Sequence, residues 1–499
     1  MKKVLFVNPS LRLNSLTKFL PVGIASVMTF FSKHSIEFDF LDIDIHDLED
    51  NKVEEFLGSH SYDIILSGSI VTHYKWMKWF VKVARKYNPR SKIIIGNSVS
   101  GSIPEIFLKN CSADIAIVGE GEITTAEVVK KIIQGEDWFD EPGIAYKTSS
   151  GKIKINERRK SLKKLDEFPM IDWQHFETEK YFKKSYAGAH AINDGEVRVM
   201  PVVTARGCAF KCTFCHYVFW NDPYRYRSPE NIVSEIQRNI SQFDANYITF
   251  WDDLSFASLP QAERFADTLL DSGLRFNWNA AVRVDLFGNP KHPRSRRLEV
   301  AQKFKQAGCM DLGYSLESAN EEILKMMNKR IRADYFLEQA RILEEVGIHS
   351  SISVVFGYPI ETSKTIKETF QMCYEANIYP SMGYLLPLPA TGMYEYAKTH
   401  KYIIDDDKYL DSITERQDLC INMTSMSDEK VKRLIAEGAD DLNSKLGIGL
   451  GKERLIKTGG YNQHSKANKV KKLKRDKNSL ILNYSEAEFE SNLGVNYNS

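Results

Sequence analysis

Apolar and polar positions alternate along the chain in two successive series of strand-like and helix-like segments. The first series consists of short β-branched and aliphatic runs: KVLFVN at 3–8, IEFDFL at 36–41, DIILS at 63–67, KIII at 92–95 and DIAIV at 114–118. Runs of this length, closed by Asn, Gly or charged residues and separated by helical spacing, predict buried strands of a parallel sheet. Five such units predict a doubly wound, flavodoxin-like α/β domain over residues 1–140, with its ligand site at the carboxyl edge of the sheet. A second series follows: MPVVTAR at 200–206, NYITFW at 246–251, FNWNAAVRV at 276–284, MDLGYSL at 310–316, HSSISVVF at 349–356 and PSMGYLLPL at 380–388. Between these runs lie helices such as SPENIVSEIQRNI at 228–240, with Ser228 as N-cap and Pro229 in the first helical position, and ADYFLEQARILEEVG at 333–347. Six alternations predict a partial (β/α)6 barrel over 196–400, with its chemistry at the carboxyl ends of the strands. Residues 141–195 read as a linker. Residues 401–499 read as a C-terminal helical region, with an amphipathic helix at 427–446 and a polar, mobile tail.

Composition narrows the partners. Lys and Arg number 67 against 66 Asp and Glu, so no global field favours a polyanion. The basic run KANKVKKLKRDK at 466–477 has no interleaved aromatic residue to stack a base, and nucleic acid is not expected as a partner. The most apolar stretch, FLPVGIASVMTFF at 19–31, contains Pro21 and falls short of the roughly 20 residues a spanning helix needs. The start MKKVLFVNPS lacks the apolar core of a signal peptide. Of 7 cysteines, Cys111, Cys309, Cys373 and Cys420 are isolated in sequence. This usage predicts a reduced, cytoplasmic protein with no membrane span.

The remaining cysteines fall in CAFKCTFCHY at 208–217. Read from Cys212 the stretch is C-x-x-C-H, a haem-attachment pattern, which belongs mostly to exported proteins and leaves Cys208 unexplained. A closed zinc site would require adjacent Cys215 and His216 to turn onto one ion. Three thiolates without an evident fourth suit a [4Fe–4S] cluster with one iron left open. The loop follows the first strand of the second series, where a barrel places its chemistry.

TARGCAFKCTFCHY resembles the cluster loop of the radical S-adenosylmethionine (SAM) superfamily. With ITFWDDLSF (248–256), AAVRVDL (280–286), GYSLESAN (313–320), ILKMMNKR (323–330), VVFGYPIETSKTIKETF (354–370) and LLPLPATGMYEYAK (385–398), the chain resembles the cobalamin (B12)-binding radical SAM enzymes over most of residues 1–400, in particular the class B methyltransferases. SLKKLDEFPMIDW at 161–173 resembles the linker into the barrel. The resemblance implies that Cys208, Cys212 and Cys215 ligate three irons while SAM chelates the fourth, and that an electron from the cluster cleaves SAM to a 5′-deoxyadenosyl radical. It places Phe214 against the adenine and Asp253, beside Asp252, at the SAM amine, with a helix-capping pair as the alternative. Glu317, ranked above Arg283, would meet SAM or substrate, or the two would pair with each other. Lys211 and Arg206 would bring positive charge to the anionic cluster, or stand as solvated loop charges.

In the first domain, PVGIASVM, GNSVSGSIPE and VGEGE resemble loops of cobalamin domains. Gly68, Ser69, Gly96, Gly119 and Gly121 lie in carboxyl-edge loops whose backbone can approach a flat corrin. Glu120 and Glu122 would repel a phosphate, and no G-x-G-x-x-G is present, which disfavours a nucleotide. One departure concerns cobalt. The D-x-H-x-x-G that many cobalamin domains place after the first strand is absent, since that loop reads NPSLRLNS, and DIHDLE at 44–49 follows the second strand. His46 is therefore expected at the surface, with cobalt bound without a His ligand.

The resemblance implies a cobalamin-dependent radical SAM methyltransferase. It would act on an unactivated carbon or phosphorus of a small metabolite or lipid precursor, supplied with electrons by a flavodoxin- or ferredoxin-type donor. A cyclase, rearrangement enzyme or oxidoreductase with the same cofactors is the alternative, and a non-catalytic corrinoid or cluster sensor a third. The tRNA methylthiotransferases carry three further cluster cysteines in their N-terminal domain, where this chain has only Cys111. His216, Tyr217, Trp220, Tyr224, Tyr384 and Tyr394 are candidates to face the substrate, or to pack.

Overall fold

The computed structural model describes residues 2–15, 17–185, 197–216, 222–414 and 416–456. Tyr217, Trp220 and the basic run at 466–477 lie outside the described residues. The first domain is built on strands β1 (Val4–Asn8), β2 (Asp39–Asp42), β3 (Ile64–Gly68), β4 (Lys92–Gly96), β5 (Ile115–Ile117), β6 (Ile144–Lys147) and β7 (Ile153–Ile155). Their order is β2-β1-β3-β4-β5-β6-β7. The first five pair in parallel, in the flavodoxin-like order expected. β2 begins later than the apolar run because Ser35 turns to φ +54 and Ile36 N–H donates to Phe31 O at 3.0 Å. Ile36 thus closes the preceding helix in a Schellman-type turn instead of opening a strand.

The linker differs from its sequence reading. β6 and β7 form an antiparallel hairpin that extends the first sheet beyond β5, so this unit reaches residue 155 instead of ending at 140. Its strands are only four and three residues long, too short for their alternation to stand out. Further on, helix Thr178–Lys184 brings Tyr181 back to the first sheet, where its hydroxyl donates to Asp42 at 2.7 Å.

The second domain contains β8 (Val199–Val202), a two-stranded ladder of β9 (Ala205–Arg206) and β10 (Arg225–Tyr226), then β11 (Tyr247–Phe250), β12 (Asn277–Ala281), β13 (Cys309–Glu317), β14 (His349–Phe356) and β15 (Ser381–Tyr384). Six strands form one sheet in the order β15-β14-β13-β12-β11-β8, each pair parallel, which is the partial barrel predicted from six alternations. Helix Asp428–Leu446, capped by Ser427 and by Gly447 at φ +66, realises the amphipathic segment expected there. Helix Asp406–Ser412 returns to the first domain, where Lys78 meets Asp407 at 2.8 Å and Asp411 at 2.9 Å. Among the described residues no helix is long and apolar enough to cross a membrane.

Candidate functional site

The three-cysteine loop leaves the barrel after β8 and hangs from the β9–β10 ladder. Gly207 opens it at φ +73, and a Cβ there would stand 3.2 Å from Pro223 O, so the left-handed turn and the close approach both favour glycine. The loop is fastened from below. Thr213 N–H donates to Met327 O at 2.8 Å, Thr213 Oγ1 to Met326 O at 3.0 Å, and Asn328 Nδ2 to Lys211 O at 2.7 Å. Met393 N–H donates to Thr213 O at 2.8 Å. The segment ILKMMNKR therefore buttresses the cysteine loop.

Cys208, Cys212 and Cys215 line one cavity of about 240 Å³ at the carboxyl ends of the barrel strands. Burial pushes the Cys215 thiol well above its ordinary range, and Cys212, Asp253 and Cys208 add to the rise. Burial likewise raises Cys208. The thiolate forms of Cys208 and Cys215 therefore call for a compensating cationic centre. The three thiols border one cavity, an arrangement that suits a body of several irons. His216 lines the same cavity; its Nδ1–H donates to Pro389 O at 2.6 Å, and burial lowers its pKa to about 4.

The walls of this cavity revise several expectations. Glu317 ends β13 at φ +64 and accepts from Lys329 Nζ at 2.9 Å. Arg283 does not meet Glu317. Its guanidinium lies 3.4 Å from the Phe210 ring centroid, and it donates to Lys329 O at 2.8 Å and Asp285 at 3.1 Å. Asp252 is no helix cap. It accepts from Thr204 N–H at 2.8 Å and Ala205 N–H at 3.0 Å, bracing the root of the cysteine loop, while the next helix is capped by Ser258. Asp253 faces the cavity, which wets its carboxyl although protein surrounds it, and burial followed by Asp252 raises its pKa to about 7. Phe214 lines the same cavity, edge-on to Tyr358 with ring centroids 6.3 Å apart. Lys211 is exposed on the loop. Arg206 points away from the thiols and pairs with Glu122 at 2.6 Å, because the first domain supplies a carboxylate on that side. Lys329 and Tyr358 were not singled out in the sequence; Lys329 is one of three cations in ILKMMNKR, and nothing in the pattern marks it above the others.

A larger pocket of about 970 Å³ opens at the carboxyl edge of the first sheet. Gly68, Ser69, Gly96, Gly119 and Gly121 line it. A Cβ on Gly68 would sit 2.9 Å from Gly96 O, so β3 and β4 end closer together than any side chain allows. Among the described residues Thr17 Oγ1 is buried in the lining without a hydrogen-bond partner, a hydroxyl placed for a polar ligand. Two residues the sequence did not flag also line the pocket, His73 and Trp76, their rings stacked 4.8 Å apart. His73 Nδ1 lies 3.0 Å from Ser69 Oγ, and burial lowers its pKa to about 4. His46 is not in this lining. It forms a half-exposed pair with Glu177 at 2.7 Å, as expected of a surface residue. Asp411, Ile413 and Thr414 close the pocket from the C-terminal region.

The two cavities abut. Ile70 and Thr72, from the loop after β3, and Asp253, from the loop after β11, line both. Of the aromatic candidates, Tyr384 lines the barrel cavity. Tyr224 donates to Ser255 O at 3.0 Å and Tyr394 to Asp406 at 2.6 Å, and neither lines either cavity.

Comparison with known families matches both halves of this geometry. Residues 11–129 match the B12 binding domain and residues 202–373 the radical SAM superfamily. The chain belongs to the cobalamin-binding radical SAM family. Among relatives of this radical SAM protein, an uncharacterized methyltransferase of Pyrococcus horikoshii is 26% identical over 65% of this chain and 66% of its own length. The anaerobic magnesium-protoporphyrin IX monomethyl ester cyclase of Rubrivivax gelatinosus is 25% identical over 74% of this chain and 64% of its own. The cytidylyl-2-hydroxyethylphosphonate methyltransferase of Streptomyces wedmorensis is 22% identical over 89% and 90%. The chain thus spans about two thirds of the first two relatives. The cobalamin-dependent radical enzyme OxsB, solved with aqua-cobalamin and SAM, shares the fold at a TM-score of 0.64 and 18% identity, over 82% of this chain and 56% of that one. Family membership brings a [4Fe–4S] cluster, SAM and cobalamin as cofactors.

Proposed function

We propose that this protein is a radical SAM methyltransferase that uses cobalamin to methylate an unactivated carbon or phosphorus of a small molecule. The observation that carries the reading is the shared wall of Ile70, Thr72 and Asp253, which joins the glycine-edged pocket to the three-thiol cavity. In this reading Cys208, Cys212 and Cys215 hold the cluster, and Asp253 and Phe214 receive the amine and the adenine of SAM. Glu317, held by Lys329, presents a fixed carboxylate at the end of β13. Gly68, Ser69, Gly96, Gly119 and Gly121 seat the corrin. Bound there, the cluster would supply the electron that cleaves SAM and the corrinoid would carry the methyl group. A low-potential flavodoxin- or ferredoxin-type donor would supply electrons, and seven free cysteines suit a reducing cytoplasm.

A second reading, a cyclase or rearrangement enzyme with the same cofactors, is favoured by the similarity to the magnesium-protoporphyrin ester cyclase. The two readings differ in how SAM is consumed. Anaerobic protein reconstituted with iron, sulfide and cobalamin and supplied with SAM and a low-potential reductant should form S-adenosylhomocysteine as well as 5′-deoxyadenosine, both assayed by chromatography. Replacing Cys208, Cys212 and Cys215 together with Ala should abolish the 5′-deoxyadenosine and the bound iron. Formation of 5′-deoxyadenosine without any S-adenosylhomocysteine would reject methyl transfer and leave the second reading.

A further inference from the structure

The two domains meet through a buried set of opposite charges that lies beside both cavities. Glu120 and Glu122 stand at the start of helix Gly121–Gln134, in the loop whose glycines edge the larger pocket. Glu122 Oε1 accepts from Arg206 Nη2 at 2.6 Å and from Ser26 Oγ at 2.8 Å. Glu120 Oε1 lies 2.5 Å from Arg225 Nη2 and 3.4 Å from Arg206 Nη1. Arg225 Nη1 also donates to Leu162 O at 2.7 Å, and the Arg206 guanidinium lies 4.3 Å over the Phe168 ring. The side chains of Arg206, Arg225, Glu120 and Glu122 are 18%, 6%, 10% and 8% exposed, so water does little to screen the pairs. Two carboxylates at a helix start also complement its dipole, which explains why they are tolerated together.

What these charges hold is the neck of the three-cysteine loop. Arg206 and Arg225 are directly opposed residues of the β9–β10 ladder, from which the cysteine loop leaves at Gly207. A ladder of two residues per strand has too few cross-strand pairs to hold itself. Arg206 precedes Gly207 and Cys208, so any tilt of the neck is carried straight to the first thiol. From the other side, Asp252 fixes Thr204 and Ala205, and Arg158 meets Asp222 at 3.0 Å. The neck is thereby anchored on residues of both domains.

We propose that Glu120 and Glu122 are positioning residues: by gripping Arg206 and Arg225 they lock the neck of the cysteine loop to the loop that edges the corrin pocket, and so set the separation between cluster and corrin. The part concerning the two cofactors rests on the assignment made under Proposed function, whereas the grip itself does not. It explains two acidic residues that would otherwise only repel an anionic ligand at this helix start. It also explains an arginine that turns its charge away from the cysteines it adjoins. Methyl transfer between two sites depends on their separation, whereas retention of either cofactor alone does not.

Two measurements on Glu122→Gln test this, with Arg206→Lys as the conservative companion. In the cofactor-free protein, hydrogen–deuterium exchange at residues 204–208 and 222–228 should be at least about tenfold faster than in wild type, with β11 to β14 unchanged, because a buried charge pair has been broken at one end. In the loaded protein, cobalt and iron contents should stay at wild-type levels. Pulsed dipolar spectroscopy between Co(II) and the reduced cluster should then give a broader distance distribution. Arg206→Lys keeps the charge but cannot span both carboxylates, and should fall between wild type and Glu122→Gln in both readouts. Neck exchange unchanged in Glu122→Gln overturns the grip. A loosened neck with an unchanged distance distribution overturns the positioning role. A wild-type protein that takes up no cobalt or no iron refutes the cofactor assignment instead, and the exchange measurement still decides the grip. Should Glu122→Gln fail to fold, Glu120→Gln, which leaves the Glu122–Arg206 contact in place, carries the same measurements.

Discussion

Replacing Lys329 with Met should destabilise the barrel far more than the loss of a surface ion pair would. Lys329 Nζ sits 2.9 Å from Glu317 Oε1, and the two side chains are 11% and 5% exposed. Burial alone would pull the Lys329 ammonium down, yet Glu317 and then Cys212 more than offset it and hold its pKa above the ordinary value. At an effective dielectric of about 20, charges at this separation attract by roughly 6 kcal/mol, most of it consumed by desolvation. Removing one partner leaves the other buried and unpaired, and the expected loss is about 3–5 kcal/mol. For a domain of this size that is a fall in melting temperature of roughly 6–20 °C. The comparison is read by circular dichroism on cofactor-free protein at pH 8. At that pH the pair contributes in full, because a raised Lys pKa gives stability that is complete below the unfolded value of 10.5 and fades only as pH climbs through the folded one. Adding Glu317→Gln to Lys329→Met removes the stranded carboxylate and should recover most of the loss, whereas independent contributions would add. Arg332→Ala, which removes the exposed partner of Asp334, should leave the melting temperature unchanged. A loss below about 1 kcal/mol in Lys329→Met, the range of an exposed pair, would refute the reasoning. So would a double variant no more stable than the single one.

His73 and His216 should make the protein acid-labile well above the carboxylate range. Both are lowered by burial to about 4, against 6.5 when unfolded, so the unfolded chain binds more protons between those values. Stability should fall as pH drops from about 6.5 towards 4, and a flat midpoint across that window in urea titrations would contradict the burial of these rings. Asp253→Asn should weaken SAM binding by calorimetry, and unchanged SAM affinity would remove Asp253 from the amine site. Gly68→Ala should lower cobalamin uptake without lowering bound iron, because a Cβ there meets Gly96 O at 2.9 Å and both glycines line the larger pocket but not the thiol cavity. Equal loss of both cofactors would mean general unfolding instead.

Hydrophobic periodicity sufficed for the two sheets because each strand is a local object. Five runs became β1 to β5, and six became the barrel, since a buried strand needs only a short apolar run and a turn at each end. The rule that parallel sheets bind ligands at their carboxyl edge drew attention to Gly68, Ser69, Gly96 and the cysteine loop, which line the two cavities at those edges. The β6–β7 hairpin escaped notice because pairing with the edge of β5, more than its own composition, makes it a strand pair.

Charge partners were legible to a far smaller degree, and the reason is topological. Glu317 and Arg283 lie at the ends of neighbouring strands, β13 and β12, which made them natural partners on sequence grounds. The turn after β13 instead carries Lys329 back over the cavity, and Arg283 is drawn to the backbone carbonyls of that same turn. Glu120 and Glu122 looked like groups that merely repel phosphate, since nothing within their own domain neutralises them in sequence. Arg206 and Arg225, which do so, lie more than eighty residues downstream on a different sheet. A low-dielectric interior obliges each buried charge to find an opposite one, but it does not say from which element. Sequence can thus single out a three-cysteine loop, whose spacing is local, while the charged residues that grip its neck emerge only once the two sheets are brought together.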